Sequence, residues 1–334
     1  IHGTDIQFEI KEGSYDEKVL PGWNKTGNLI CPCCGSITTS KQVKEQANKI
    51  GLKERFIAII SEGSNGKQYT IPSIQLEQPH ITLLNQSIPT ENMTKQTDLI
   101  SSRGWNINQW YQMFSNRQLN MLLTINKQLL NLKATLNQSN YTNILFTYLS
   151  IWFDRIAVAN TSLGRWHNGR ETVEHPFSRQ AIAMVFDYPE SNPFCNSSGS
   201  ALNQLEWIIR YIESESNSPF AALFANASSG EKGQFAAKTL TAVVTDPPYY
   251  DAIAYADISD FFYVWMKRTL GDIYPINFAT PQTPKAEECT ALKHHHHNSE
   301  AEAKKHFENK LTTIFDAIEY QTSDIVCIIF AHQS

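Results

Sequence analysis

The sequence predicts an α/β fold built around a parallel sheet with helices on both faces. Three apolar runs predict the strands: Ala181–Phe186, Leu240–Thr245 and Ile325–Phe330. Segments with helical periodicity lie between these runs: Ala201–Ile212, Ala252–Leu270 and Glu300–Tyr320. Strands that lack polar alternation and are separated by helices are typical of a parallel sheet covered on both faces. Ligands of such sheets bind beyond the carboxyl ends of the strands.

The chain of 334 residues divides into three predicted parts. Residues 1–75 form a small β-rich unit, residues 76–179 a linker and a helical insertion, and residues 180–334 the part that holds the parallel sheet. This length corresponds to about two ordinary domains.

In the β-rich part, short apolar or alternating runs predict three strands: Ile6–Ile10, Arg55–Glu62 and Gln68–Ile71. The pair Asn65-Gly66 predicts a hairpin closed by a type I′ turn, which needs positive φ at both central residues. A short helix is expected over Thr39–Gly51, because the segment has a Ser/Thr start and a Gly stop.

The middle part is predicted to be helical after a polar linker that contains Pro79 and Pro89. Helices are expected at residues 107–114, 117–136 and 141–159. Ser115 is suited to cap the second of them. The core-facing positions expected for the third helix are Ile144, Leu145, Tyr148, Leu149 and Trp152.

The composition excludes several classes of protein. With 41% hydrophobic and 18% charged residues, the chain is too apolar to be disordered throughout. It lacks both a long apolar run and a secretory signal, so we expect a cytoplasmic protein with no membrane contact. The net charge of −5 gives no basic footprint of the kind that indicates nucleic-acid binding.

Half of the six cysteines lie within one tetrapeptide, which favours metal binding over a disulfide framework. Cys31 and Cys34 have the spacing of a zinc knuckle, whereas Cys33 is more suited to point away. A structural zinc site needs four ligands. Because the chain has no second CxxC pair, we expect an incomplete zinc site.

The residues Asp246, Pro247, Pro248 and Tyr249 directly follow an apolar strand. Two prolines cannot continue a central strand, so the chain leaves the sheet there in a rigid turn. The Asp246 carboxylate and a backbone carbonyl together can accept both hydrogens of a planar amine, and Tyr249 can stack on the ring that bears it. The alternative is a stiff turn in which Asp246 caps the following helix.

This motif resembles that of amino methyltransferases, and in particular of adenine-specific DNA methylases that contain a zinc ribbon. The resemblance extends over most of the chain and is carried by four stretches: Thr245–Trp265, Cys31–Gly35, Trp166–Ile182 and Phe186–Phe194. It implies part of a Rossmann-like S-adenosylmethionine-dependent methyltransferase sheet, with a helical insertion and a partial zinc-ribbon-like unit.

The resemblance also implies a reaction, methyl transfer from S-adenosylmethionine to adenine N6 in DNA, on a base flipped out of the duplex. Asp246 and the Pro247 carbonyl would hold the amine, and Tyr249 would stack on the adenine. Tyr250 would add a second wall or be an ordinary packed tyrosine. The implied partners are DNA and the subunits of a restriction or phage-defence system.

The chain departs from this family because it lacks the glycine-rich cofactor loop and a second cysteine pair. It contains no GxG, although the family binds S-adenosylmethionine with a glycine-rich loop after its first strand. The nearest glycine clusters, Gly63–Gly66 and Gly230–Gly233, do not follow apolar strands that lead into helices. In the family this loop and a first CxxC lie upstream of the cysteine cluster. We therefore expect an internal fragment that is inactive by itself and binds zinc only with the missing part.

Two further groups have alternative interpretations. The run His294–His297 is expected to be a solvated loop rather than a ligand cluster. Asp257 and Asp260 either orient the site or interact with the helix dipole.

Two other functions compete with DNA adenine methylation. Cytosine N4, RNA and protein glutamine also present planar amines to an amino methyltransferase. The other competitor is a non-catalytic nucleic-acid-binding module, in which Asp246 would have no chemical role.

Overall fold

The computed structural model describes residues 7–11, 22–25, 27–31, 34–73, 79–81, 87–95, 99–177, 181–217 and 219–330. The chain divides into two compact units, residues 1–80 with 102–107 and residues 81–101 with 108–334. The described part is mixed α/β, with six α-helices and small two-stranded sheets. Within it, no helix combines the length and the apolar character needed to cross a bilayer.

The first unit contains one helix between two hairpins. Its elements are β1 (Leu29–Ile30), β2 (Ile37–Thr38), α1 (Ser40–Ile50), β3 (Ile59–Gly63) and β4 (Gly66–Thr70). The predicted helix is confirmed together with its ends. The Thr39 side chain accepts a hydrogen bond from the Gln42 backbone N–H, and the Gln42 side chain accepts one from the Thr39 N–H. Gly51 ends the helix with φ of 74°.

The hairpin between β3 and β4 is confirmed, but the predicted turn type is wrong. Gly63 pairs with Gly66 across the two-residue turn Ser64–Asn65. Neither turn residue has positive φ; only Gly66 does, at 113°. Two strand predictions also need correction. The strand expected from residue 55 begins at Ile59, and residues 7–10 form no strand, while residue 6 lies outside the described residues.

The second unit contains the other five helices and two small sheets. Its helices are α2 (Asn116–Thr135), α3 (Asn140–Ala159), α4 (Ala201–Glu215), α5 (Tyr255–Leu270) and α6 (Glu300–Gln321). Its strands are β5 (Arg165–His167), β6 (Thr172–Glu174), β7 (Leu240–Thr245) and β8 (Thr322–Ile328). The helix predicted over residues 107–114 is only a short 3-10 helix, Trp110–Met113.

Ser115 caps α2 as predicted. Its hydroxyl accepts a hydrogen bond from the Gln118 N–H at 3.2 Å, and the Gln118 side chain accepts one from the Ser115 N–H at 2.9 Å. The same hydroxyl donates to Glu190 at 2.6 Å. The cap therefore joins the start of α2 to the segment before α4.

Replacing Ser115 by Ala should lower the free energy of unfolding by about 1–2 kcal/mol, because the first turn of α2 loses its hydrogen-bond acceptor. Denaturant unfolding followed by circular dichroism measures this loss. Ser139→Ala, at the N-cap of α3, is the control. It removes a similar cap whose hydroxyl has no carboxylate partner such as Glu190 among the described residues. A Ser115→Ala variant as stable as the wild type would contradict this account of the cap.

Aromatic side chains of α3, of α5 and of residues 110–114 before α2 form a core. Trp265 is fully buried, and its ring centroid lies 5.8 Å from that of Phe114 and 5.3 Å from that of Phe153. Phe261, also fully buried, packs edge-on against Trp110 at 6.1 Å. Such edge-to-face pairs add to the stabilisation from burial. The contacts of Phe261 and Trp265 therefore hold the central turns of α5, the helix that follows the motif, in this core.

The buried face of α3 differs from the predicted one. Ile144 is 56% exposed, whereas Phe146, Phe153 and Ile156 are buried. The helix also buries a carboxylate, since Asp154 is 4% exposed and neither of its oxygens has a hydrogen-bond partner among the described residues. Burial raises the pKa of Asp154 well above its ordinary value.

A raised pKa in the folded state means that ionisation of Asp154 opposes folding. The penalty begins as the pH rises past the unfolded pKa, about 3.9, and grows until the folded pKa is reached. Asp154→Asn removes the titration while keeping the shape. We expect this variant to gain stability relative to the wild type from pH 4 to pH 8, measured by thermal unfolding, and by more than about 1 kcal/mol at the upper end. A difference independent of pH would contradict the assignment.

Strands β7 and β8 pair in parallel, as predicted. The strand expected at Ala181–Phe186 is wrong, because in that run only Ala181 and Ile182 form isolated bridges, the latter with Ile100. The expectation that helices cover both faces of the sheet is also wrong for these two strands. Val244 is 69% exposed and Ile325 57%. Burial on both faces cannot be read from apolar runs alone, because the runs look the same whether or not a neighbouring layer is present.

Candidate active site

The candidate site begins where β7 ends. The last backbone hydrogen bond of this sheet edge runs from the Ile329 N–H to the Thr245 carbonyl, at 2.9 Å. Asp246 follows, and the chain then leaves the sheet through the two prolines. The structure therefore places Asp246 directly beyond the carboxyl end of a parallel strand, the position at which ligands of such sheets bind.

Asp246 and Tyr249 are joined within the turn. The Tyr249 hydroxyl donates to Asp246 Oδ2 at 3.2 Å, and the carboxylate is exposed. This hydrogen bond, together with partial burial and the nearby negative charge, raises the pKa of Tyr249. The phenol is thus held neutral beside the carboxylate. The Tyr249 ring meets Phe330 edge-on at 6.2 Å.

The two prolines shape the turn without using all of its carbonyls. The Pro248 carbonyl accepts from the Tyr250 N–H at 3.2 Å, and the Tyr249 carbonyl accepts from the Ala252 N–H at 2.8 Å. Among the described residues, no backbone N–H donates to the Pro247 carbonyl. Pro247 itself is buried. The Pro247 carbonyl therefore takes no part in the backbone hydrogen bonds of the turn.

Tyr250 is held by packing and by its backbone. Its φ is 40°, a conformation that L-residues rarely adopt. Its carbonyl accepts from the Ala291 N–H at 2.8 Å, and its ring packs edge-on against Phe307 at 5.1 Å. The side chain remains 39% exposed. These contacts favour a packed tyrosine over a second wall for the base. They also join the turn to α6.

Tyr255 is a neighbour of the site that the sequence did not single out. It begins α5 and is 42% exposed. Partial burial and the negative charges of Asp246 and Glu288 raise its pKa. The sequence could have indicated Tyr255 through its position, because the first turn of the helix after the motif lies near the carboxyl end of β7.

Asp260, one turn further along α5, has a structural role. It is fully buried and accepts hydrogen bonds from Lys285 at 2.6 Å and from the Thr283 N–H and hydroxyl at 2.9 Å and 2.6 Å. Gln282 donates to the same carboxylate at 3.0 Å. Asp260 therefore fixes the loop after α5 and does not face the Asp246 turn.

Asp257 is joined to the histidine run. His294 Nε2 lies 3.0 Å and His295 Nε2 2.8 Å from Asp257 Oδ2. The side chains of His294 and His295 are 13% and 8% exposed, so the predicted solvated loop is wrong for these two residues. Burial alone would raise the pKa of Asp257, but the hydrogen bonds and charges of the two histidines outweigh it and hold this pKa well below its usual range.

The cysteine pair lies in the loop between β1 and β2. The Gly35 N–H donates to the Cys31 carbonyl and the Cys31 N–H to the Ser36 carbonyl, both at 2.9 Å. Cys34 is exposed, and hydrogen bonds from Ser36 and Cys31 lower the pKa of its thiol. In the part of the chain that the structure describes, no third ligand atom joins the pair, and Cys33 lies outside that part.

Neither glycine cluster has the setting of a cofactor loop. Gly63 and Gly66 form the turn between β3 and β4. Gly230 and Gly233 lie in the loop before β7, and a Cβ at Gly230 would approach Thr313 to 3.1 Å. Neither cluster can thus be assigned to S-adenosylmethionine.

Comparison of the chain with protein-family models, with curated proteins and with solved structures found no match.

Proposed function

We propose that the chain is the motif-bearing part of an amino methyltransferase that transfers a methyl group from S-adenosylmethionine to adenine N6 in DNA. The observation that carries this proposal is the exposed Asp246 carboxylate, which lies just beyond β7 and is hydrogen-bonded to Tyr249. The resemblance of the surrounding sequence to zinc-ribbon adenine-specific DNA methylases supports it.

The chemistry requires that the amine nitrogen become nucleophilic. In adenine its lone pair is delocalised into the ring. One hydrogen bond to Asp246 and one to the Pro247 carbonyl would hold both amine hydrogens and direct the lone pair out of the ring plane. The Tyr249 hydroxyl uses one oxygen of Asp246, so an amine bound at the other oxygen leaves this hydrogen bond intact. S-adenosylmethionine would supply an electrophilic methyl group on the side that the lone pair faces; the N–C bond would form as the sulfonium S–C bond breaks, and S-adenosylhomocysteine and one amine proton would leave.

Tyr249 would stack on the flipped base. Base–aromatic stacking contributes about 1–3 kcal/mol per base. The base must leave the duplex, because its amine is otherwise paired. Tyr250, fixed by Ala291 and Phe307, would border the pocket rather than enclose the base.

The rest of the assignment rests on the resemblance. We propose that the S-adenosylmethionine loop and a first cysteine pair belong to sequence upstream of Ile1, and that Cys31 and Cys34 supply half of a zinc site. DNA is the proposed partner, within a restriction or phage-defence system.

The test is a methyl-transfer assay with labelled S-adenosylmethionine, using the chain joined to its upstream sequence. Adenine-containing DNA, DNA lacking adenine, RNA and protein are offered as acceptors in parallel. The proposal predicts label in adenine-containing DNA alone. Label in DNA lacking adenine as well would indicate cytosine N4, and label only in RNA or protein would overturn the DNA assignment.

A further inference from the structure

We propose that Asp257, His294 and His295 form a binding site for a divalent transition-metal ion of the Zn²⁺ type. One carboxylate oxygen and one ring nitrogen of each histidine all lie within 4.8 Å of one another. The three residues come from the first turn of α5 and from the short helix Lys293–His295. Imidazole nitrogens and a carboxylate oxygen are ligands that zinc and its neighbours in the first transition series prefer. This site does not depend on methyl transfer.

The buried negative charge of Asp257 needs a compensating positive charge at this site. The Asp257 side chain is 1% exposed, and its Oδ1 has no hydrogen-bond partner among the described residues. A buried carboxylate oxygen without a partner is costly. The lysines nearby in the sequence are engaged elsewhere: Lys285 with Asp260, Lys293 with Glu300, and Lys310 with Glu287. Compensation must come from protonated histidines or from a bound metal ion.

Glu288 faces His295 from the other side and suits either source, because a protonated and a metal-bound His295 both carry a proton on Nδ1. Its Oε2 lies 3.8 Å from His295 Nδ1, has no hydrogen-bond partner among the described residues, and belongs to a side chain that is 11% exposed. A neutral His295 that donates from Nε2 to Asp257 would present a bare Nδ1 to this carboxyl group. With a metal ion on Nε2, the proton of His295 lies on Nδ1 and points at Glu288. Metal-bound histidines almost always have such a carboxylate or carbonyl partner.

The rest of the histidine run is not part of the site. The His297 side chain is 95% exposed. The ring of His296 packs against that of His306 at 4.5 Å, and His306 Nε2 lies 2.8 Å from the Glu288 carbonyl. The site therefore uses only the first two histidines, which makes His297 a matched control within the same run.

The experiment measures zinc binding to the full chain. Cys31 and Cys34 are replaced by Ser so that the predicted zinc knuckle does not contribute, and the protein is stripped with a chelator. Titration with zinc chloride in a calorimeter is expected to give one ion per chain with a dissociation constant in the micromolar range or below. Absence of stoichiometric binding would overturn the proposal and leave protonated histidines as the compensating charge.

Variants then locate the ion. Asp257→Asn and His295→Ala should weaken binding by more than about 100-fold, and Glu288→Gln by roughly 10–100-fold, the cost of losing an outer partner. His297→Ala should bind zinc as the parent does. Equal losses in His297→Ala and His295→Ala, or no loss in Asp257→Asn, would contradict the assignment.

A second measurement needs no substitution within the site, so it remains valid if the variants do not fold. The visible spectrum of Co²⁺ bound to the parent with both cysteines replaced should show a four- or five-coordinate ion. The spectrum of six-coordinate aqueous Co²⁺ would refute the site without any substitution in it.

Discussion

Replacing Asp246 by Ala is expected to abolish methylation of adenine in DNA, with a loss of at least about 100-fold in kcat, the scale found when one preorganised polar group is removed from an active site. The amine would lose the acceptor that holds one of its hydrogens, and the lone pair would return to conjugation with the ring. Because Asp246 is exposed, the substitution should leave the free energy of unfolding within about 0.5 kcal/mol of the wild type.

Two other variants sharpen this prediction. Asp251 is exposed in the same turn, so Asp251→Ala serves as a matched control and should keep its activity. Tyr249→Phe removes the hydrogen bond to Asp246 but keeps the ring, so it should lose far less activity than Tyr249→Ala, for which we expect roughly 10- to 100-fold from the lost stacking. Full methylation by Asp246→Ala would contradict the proposed role of Asp246, and unchanged biological activity of the full protein without methylation would support the non-catalytic alternative.

The second large effect concerns stability. Trp265→Ala should lower the free energy of unfolding by about 3–5 kcal/mol, because it removes one of the two buried tryptophans of the aromatic core of the second unit and leaves a cavity. Trp265 is fully buried against Phe114 and Phe153. Denaturant unfolding of the intact chain, followed by near-ultraviolet circular dichroism, gives the measurement.

Trp207 offers a matched control for this substitution. It is 53% exposed on α4 and packs beside the guanidinium groups of Arg155 and Arg210, at 5.9 Å and 5.8 Å. Trp207→Ala should cost about 1 kcal/mol, mostly from these contacts. If the two tryptophan variants unfolded alike, the assignment of Trp265 to the aromatic core would be contradicted.

Local patterns in the sequence predicted the helices well. Caps at Thr39 and Ser115 fix helix starts through hydrogen bonds within four residues, so the information lies in the sequence itself. The strand Leu240–Thr245 was correct to the residue, because the prolines that follow Asp246 end it sharply. The placement of Asp246 beyond the carboxyl end of a parallel strand is confirmed for the same reason.

The failures involve contacts between distant residues. Ala181–Phe186 is as apolar as a strand, yet only its first two residues form bridges, and the partner of Ile182 is Ile100. The burial of His294 and His295 depends on Asp257, which lies 37 and 38 residues away in the sequence. Four consecutive histidines are polar enough to predict a solvated loop, and nothing local reveals a buried carboxylate beside them. The chemical role of Asp246 and the zinc site at Cys31 and Cys34 stay predictions.

The most direct test of the central claim is the N6-methyladenine content of DNA from cells that express the chain joined to its upstream sequence. Enzymatic digestion and mass spectrometry of the nucleosides measure this content. We predict N6-methyladenine in cells with the wild-type protein and none above background in cells with Asp246→Ala or in cells without the gene. Equal N6-methyladenine in the wild type and in Asp246→Ala, or none in either, would contradict the assignment.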